Sequence, residues 1–600
     1  MTKIRYSYMK KVLLLLLYFT PAVLFAQLRY NLDMEKTDSP SVLPAGWTGF
    51  AAKPTDDCHM LLDSTTVYSG KYAILLMKDS IGETTPSIVV YEIPVDFYGK
   101  TVKLRGYVRT EAVEGGWAGL WMRVDGTAAF DNMSNRGIKG TTPWTPYEIE
   151  LKLAKSATQV TLGGLLTGKG KMWMDSLSFS VDGKDIQLIP EENVAAKTDE
   201  QHWLKTHAMP LKTVDAGHGS EDLQGLKPLV GDARIVALGE CTHGSSEVFR
   251  MKHRLLEFLV TEMGFRIFAI EANLPETNIM NDYVLYGKGS AEKGLDAMYF
   301  WTWHTKEVLE MAKWMRAYNV AHPDKMVQFV GFDMQFTQGA CDNLSQFATQ
   351  YAPELRPVMD SVVLYCNKYK RVAFDHGIPR EEKARLAGWL EEAGDLLKKN
   401  RKQYTQLVGD TMMAWQARYL VVLQQYLKLY TDARSGRNVR DEAMAENVAW
   451  IAAQYPGQKL VLWAHDGHVG RRVASMGGHL DKTFKKDMVV VGFGTAKGQY
   501  TAIRKGKGLQ QDNTLCAPIP RSFERYAQAS GVGNFILDIR KQHLQDEAAS
   551  WLLRSARLRN IGALTAEICN AQFEGGILPD VYDAIIYLEN TTASETIFNK

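Results

Sequence analysis

Short, nearly unbroken apolar runs recur through the second part of this 600-residue chain, and their rhythm constrains the fold more than any other feature. They are Arg234–Gly239, Arg266–Ile270, Met326–Gly331, Lys459–Ala464, Met488–Gly492, Asn534–Leu537 and Asp583–Leu588. Between the early ones lie helical stretches, such as Glu247–Met263 and Thr305–Asn319, with apolar residues at three and four spacing. Continuous apolar strands alternating with helices predict an α/β fold: a mostly parallel sheet with helices on both faces. The span 341–454 lacks such strands and reads as helical, for example over Arg380–Lys402 and Asp410–Asp432. It is expected to form a helical cap insertion over the functional edge of the sheet.

Residues 27–185 have a different rhythm. Period-two runs at Ser87–Ile93, Val102–Val108, Gly119–Val124, Tyr147–Leu153 and Gln159–Leu162 alternate with Gly, Pro and Asp turns. That spacing predicts an all-β, antiparallel sandwich domain. Its ending, Gly168–Phe179, resembles the last strand of jelly-roll carbohydrate-binding modules. Trp117, Trp121, Trp144 and Trp173 are candidates to stack on sugar rings, against the plainer role of filling the sandwich core. A polar segment, 186–204, reads as a linker, and 205–600 as the α/β domain. A chain of this length exceeds what one core supports.

The first 26 residues read as a secretory signal peptide. Lys3, Arg5, Lys10 and Lys11 precede the apolar run Val12–Tyr18, and Ala26 stands at a cleavage point. No Cys follows that run, so a lipid anchor is not expected. The expected compartment is periplasmic or secreted, with no membrane span after cleavage. The net charge of +2 gives no electrostatic footprint for nucleic acid. Six widely spaced cysteines, without CxxC, do not resemble a disulfide framework.

Chemistry is expected at the strand ends, where ligands bind in open α/β sheets. The run ending at Gly239 delivers Glu240 and His243, and the next delivers Glu271. The third delivers Asp333, and the fourth His465, Asp466 and His468. Carboxylates and imidazoles gathered at one edge suit general acid–base chemistry or a metal site. A carboxylate can orient an imidazole that deprotonates water, while paired His or Lys/Arg stabilise the oxyanion. HExxH is absent, so the reading without metal or cofactor is preferred. G-x-S-x-G and Walker sequences are absent too, and Gly492-Phe-Gly-Thr-Ala-Lys-Gly498 misses the dinucleotide pattern. Cys241 reads as a small buried filler, and Ser245 and Ser246 as caps of the following helix.

Ordered motifs then support a resemblance. Gly239-Glu-Cys-Thr-His-Gly244, Phe249–Leu259, Gly264–Glu271, Trp303-His-Thr, Trp314–Asn319, Gly331-Phe-Asp-Met-Gln335, Arg440–Asn447 and Ala464-His-Asp-Gly-His468 are similar to the erythromycin esterase family. The resemblance covers about residues 205–600 and implies hydrolysis of a macrolide lactone, or another ester, by activated water. It implies His243 as general base, Glu240 and Glu271 as essential carboxylates, Lys252 as a basic residue of the site, and His465 and His468 as a second histidine pair. Asp333, Arg440, His304 and Trp303 become substrate-binding candidates by position, although Arg440 has a local pairing with Asp441 as its plainer role and His304 a structural one. Asp466 departs from the Asn common in macrolide-degrading relatives. Two other readings stay open: a metal-dependent hydrolase using the same Glu/His cluster, and a glycan-binding protein whose hydrolase domain is inactive.

Overall fold

The computed structural model describes residues 30–597 apart from 38–42, 52–57, 80–85, 96, 98, 126, 155–156, 158, 190–195, 370–377, 432–435 and 567–568. The expected signal peptide, 1–26, lies outside the described residues.

The N-terminal strands form one continuous antiparallel sheet, where the sequence suggested a sandwich of two. The reason is a single 25-residue strand, Thr101–Asp125, shared by both halves. Its first half pairs with Lys169–Val181 and its second half with Gln159–Leu166. Between them the register slips around Ala112 and Gly115, both at positive φ, and the bulge turns the strand from one half into the other. Gly116 sits at the close approach: a side chain there would meet the backbone of Gly168 at 2.5 Å. Alternate residues of the first half (Val102, Leu104, Val108) fill the enclosed core with Leu120, Met122 and Phe179. Trp121 and Trp173 are buried, which corrects their candidacy as sugar platforms; the Trp173 indole donates to Asp63 at 2.7 Å.

The helix Thr198–His207 begins inside the expected linker and runs past its end, and its Trp203 and Leu204 join the same apolar cluster as Ile235 and Ala237 of the second sheet. That sheet has nine strands among the described residues, numbered here within the sheet. They are β1 (Met209–Pro210), β2 (Ile235–Leu238), β3 (Phe265–Asn273), β4 (Gln328–Asp333), β5 (Lys459–Trp463), β6 (Met488–Arg504), β7 (Gly508–Thr514), β8 (Phe535–Asp538) and β9 (Ala584–Thr591). The order is β1-β8-β9-β6-β2-β5-β3-β4, with β7 on β6. The pairs from β9 through β4 are all parallel, while β8 and then β1 extend one side antiparallel, so the sheet is mixed at its margin.

Both faces are covered. Ile235 and Ala237 of β2 point into one apolar cluster, while Val236 and Leu238 point into the other. Such two-sided burial is why these strands read as unbroken apolar runs. Between β4 and β5 the described residues are largely helical. Helices span Gln338–Tyr351, Arg356–Tyr369, Arg380–Lys399, Arg401–Thr431 (bent at Gly409, φ 81°) and Gly436–Gln454. Their apolar residues join the cluster on one face of the sheet, and Asn447 of the last helix donates to the Phe332 carbonyl of β4.

The cysteine expectation is corrected at one point: Cys516 and Cys569 form a disulfide. Their 53-residue separation carries no sequence signature, because the loops that bring them together are set by tertiary packing.

Candidate active site

Parallel register aligns the strand ends. Leu238 of β2 is level with Trp463 of β5, and Trp463 is level with Ile270 of β3. Glu240 and His465, each two residues past that level, therefore leave the sheet together, beside Glu271 near the end of β3. Gly239 is required at the turn, since a Cβ there would stand 1.8 Å from an Asp466 carboxylate oxygen.

Glu240 is fully buried and saturated. One oxygen accepts from His243 Nδ1 at 2.7 Å, and the other from Lys252 Nζ at 2.9 Å and Trp463 Nε1 at 2.6 Å. Burial alone would raise its pKa; the Lys252 charge and the His243 hydrogen bond reverse that and hold it at about 2. Lys252 is equally buried and lies 4.3 Å above the Trp463 ring. Burial pushes its ammonium down to about 8, against the pull of Glu240.

For His243, burial works against the charged form, but the hydrogen bond and charge of Glu240 and the charge of Glu271 outweigh it, so its pKa is raised. With Nδ1–H committed to Glu240, Nε2 is the basic nitrogen. Its side chain is 12% exposed, so the ring keeps some access to solvent.

Arg440 joins the other strand ends. It comes from the helix Gly436–Gln454 and donates to Asp333 through Nε and Nη2, to Glu271 through Nη2 at 2.6 Å, and to His468 Nε2 at 3.0 Å. Since a guanidinium only donates, His468 accepts through Nε2 and gives its Nδ1–H to Asp441 at 2.8 Å. Glu271 also accepts the His465 backbone amide at 3.0 Å. Burial would raise the Glu271 pKa, but the Arg440 charge and the hydrogen bond from the His465 amide hold it well below the usual carboxylate range. His465 caps the short helix Asp466–Val469: its Nδ1 accepts from the Gly467 amide at 3.2 Å and its Nε2–H donates to the Ile561 carbonyl at 3.0 Å. Burial pushes its pKa to about 3, and its ring stands 4.7 Å from that of His243.

The structure thus brings Glu240, His243, Lys252, Glu271, Asp333, Arg440, His465 and His468 into one cluster. It leaves two expected substrate-binding residues out. Trp303 is core, its indole donating to the Glu271 carbonyl at 3.1 Å, and His304 donates through Nε2 to the Leu295 carbonyl at 2.8 Å. Asp333, wholly buried beneath Arg440, holds that guanidinium and offers no surface to a substrate. Ser245 precedes the helix Ser246–Met263, but its hydroxyl bonds Thr591 and makes no cap hydrogen bond. Cys241 is buried, and burial pushes its thiol far up, keeping it protonated. Burial likewise raises the Asp466 carboxyl well above its usual range, only partly opposed by the Phe493 amide.

Three contributors escaped the sequence reading. Asp441 pairs with His468, where a local pairing with Arg440 was expected; the helix turns the two neighbours toward different strand ends. Trp463 reads as an apolar strand residue, and hydropathy hides its indole N–H. Ile561 acts through its backbone, which no side-chain pattern reveals.

Among the described residues, no group of three or more His, Cys, Asp or Glu is arranged to hold a metal ion.

Residues 260–591, more than half of the chain, match the model of the family described as erythromycin esterase. Protein YbfO of Bacillus subtilis (strain 168) is 24% identical over 433 residues, 66% of this chain and 92% of the relative. Erythromycin esterase type II of Escherichia coli is 23% identical over 434 residues, covering 66% of this chain and 99% of that protein. A solved protein from Bacillus cereus is 25% identical with a TM-score of 0.60, covering 66% of this chain and 98% of its own. By its ordered motifs and its matched model, the chain belongs to the erythromycin esterase family.

Proposed function

We propose that this protein is an exported hydrolase that cleaves an ester or macrolide lactone with water activated by His243, and that it acts without a required metal, a reading that includes macrolide resistance. The observation that carries it is the Glu240–His243 pair, in which the carboxylate fixes the Nδ1–H tautomer while Lys252 and Trp463 occupy its second oxygen. Nε2 takes a proton from water, and the hydroxide attacks the ester carbonyl. Arg440, fixed by Asp333 and Glu271, supplies positive charge for the oxyanion. When the C–O bond breaks, the proton held on His243 goes to the leaving alkoxide. The helices between β4 and β5 act as a cap and shape substrate choice. Lys252 pairs with Glu240, and Arg440 bridges Glu271 and Asp333, which supports chemistry without a bound cation.

A hydrolysis screen over macrolide lactones and acylated glycans, run with and without a chelator, tests this reading. Turnover is expected to persist under chelation. Activity lost to the chelator and restored by a divalent metal would favour the metal-dependent alternative.

One observation favours a further reading, that the N-terminal module engages glycan. Tyr68, 43% exposed, stacks on Tyr107 at 3.6 Å with Trp144 edge-on at 5.9 Å, and this forms an aromatic platform open to solvent. In the full chain, Trp144→Ala is expected to weaken oligosaccharide binding by about tenfold. An array on which the wild type binds no glycan sinks the idea.

A further inference from the structure

The segment Ala556–Gly576 lies far in sequence from the four strand ends, yet it touches two of them. Its ends pair as an antiparallel hairpin, with Arg559 opposite Phe573. Between them, Ile561 donates its amide to the Cys241 carbonyl at 2.8 Å and bridges to Thr242, on the turn that carries Glu240 and His243. The same residue accepts the Nε2–H of His465 on its carbonyl at 3.0 Å. One residue thus bolts the β2 turn to the β5 loop.

Ile561 is itself held by a buried cation that the chemistry above does not use. Arg559 is fully buried. Its guanidinium donates to the Thr495 carbonyl at 2.7 Å, the Gln572 side chain at 2.6 Å, and the Ala496 and Cys516 carbonyls at 3.2 and 2.8 Å. Thr495 and Ala496 belong to β6, the parallel neighbour of β2, so the hairpin is referenced to the sheet that sets the site. Gln572 returns to the same point: its side-chain oxygen accepts the Cys516 amide and its carbonyl accepts the Asn560 amide. Cys516 is covalently joined to Cys569 in the same segment.

We propose that Arg559, with the Cys516–Cys569 disulfide, is a positioning device for the site: it holds the Ile561 carbonyl where it locks His465 as the Nε2–H tautomer, ring against His243. The inference rests on the reading of His243 as base. Burial already disfavours a proton on His465, and the lock completes that by committing both ring nitrogens to backbone groups. An unlocked imidazole 4.7 Å from His243, and facing Glu240, Glu271 and His468, would compete for the proton that His243 must take from water.

Arg559→Ala in the full chain is expected to lower kcat about ten- to a hundredfold and leave KM within about twofold, because a misplaced support costs rate rather than binding. Added guanidinium ion is expected to restore part of kcat, whereas Arg559→Lys, a point charge without the planar fork, is expected to stay impaired. Unchanged kcat, or a loss without rescue and with KM raised in proportion, overturns the proposal. The folded wild type gives an independent measurement should the variant not fold. A dithiol reduces the disulfide to two cysteine thiols and is itself oxidised to a cyclic disulfide. Loss of kcat at unchanged circular dichroism, regained on reoxidation, is expected; full kcat in the reduced, folded protein overturns it. His243→Ala separates the two levels. If that variant keeps its activity, the base reading fails; if it is dead while Arg559→Ala is normal, the positioning device alone fails.

Discussion

His243→Gln is expected to lower kcat about a hundred- to ten-thousandfold, with KM little changed and the far-ultraviolet circular dichroism of the wild type retained. Glutamine keeps a polar side chain of similar reach but has no nitrogen that can take a proton. The ring is partly open to solvent and is held by Glu240 and the neighbouring His465 ring rather than by the apolar core, so the fold does not depend on its basicity. The pH profile discriminates this role from a packing role. Glu240 raises the His243 pKa above its ordinary value of 6.5, and a base works in its neutral form. The wild-type rate therefore falls as pH drops through that raised value. Glu240→Gln removes the carboxylate that causes the shift, so the acid limb should move to lower pH while the maximal rate drops, because an amide no longer fixes the Nδ1–H tautomer. A His243→Gln enzyme within tenfold of wild type, or an acid limb that Glu240→Gln leaves in place, would remove His243 as base.

The parts of this site that are legible in sequence are those written as side chains at strand ends. Glu240, His243, Glu271 and His465 each follow an unbroken apolar run, and parallel pairing brings such ends to one edge whatever the strand order. The apolar runs were legible for the same reason: burial on both faces removes the alternation that a half-exposed strand shows. Other features depend on information the local pattern lacks. Whether Arg440 pairs with its neighbour Asp441 or with Asp333, 107 residues away, is decided by the docking of its helix on β4. Trp303 and His304 sit in a motif beside the site but face its supporting core, and no spacing rule separates a residue that lines a cleft from one that stands behind it. The N-terminal sheet was readable as antiparallel from period two. That its halves share one strand turns on a bulge at Ala112–Gly115, where the sequence Ala-Val-Glu-Gly carries no marker of a bulge.

Lys252→Met is expected to destabilise the α/β portion by about 3–5 kcal/mol at neutral pH, because it strips a buried carboxylate of its cation. Methionine fills much the same volume and can still pack on the Trp463 ring, so the loss is electrostatic rather than a cavity. Without the Lys252 charge, the burial that now fails to raise the Glu240 pKa is opposed only by His243 and the Trp463 indole. The carboxyl then holds its proton more readily, its grip on His243 weakens, and turnover falls together with stability. Linkage gives the sign. The folded pKa of Glu240, about 2, lies below its ordinary 4.5, so the pair contributes stability that is present above 4.5 and lost as pH falls toward 2. Lys252→Met should therefore lose most of its deficit relative to wild type in acid. The double variant Glu240→Gln/Lys252→Met removes both charges and should recover much of the stability while remaining inactive, since a neutral buried pair carries no uncompensated ion. Urea denaturation of the four proteins across this pH range decides the matter. A single variant within about 1 kcal/mol of wild type at neutral pH, or a double variant no more stable than Lys252→Met, would show that the ammonium is not what keeps Glu240 charged beneath the site.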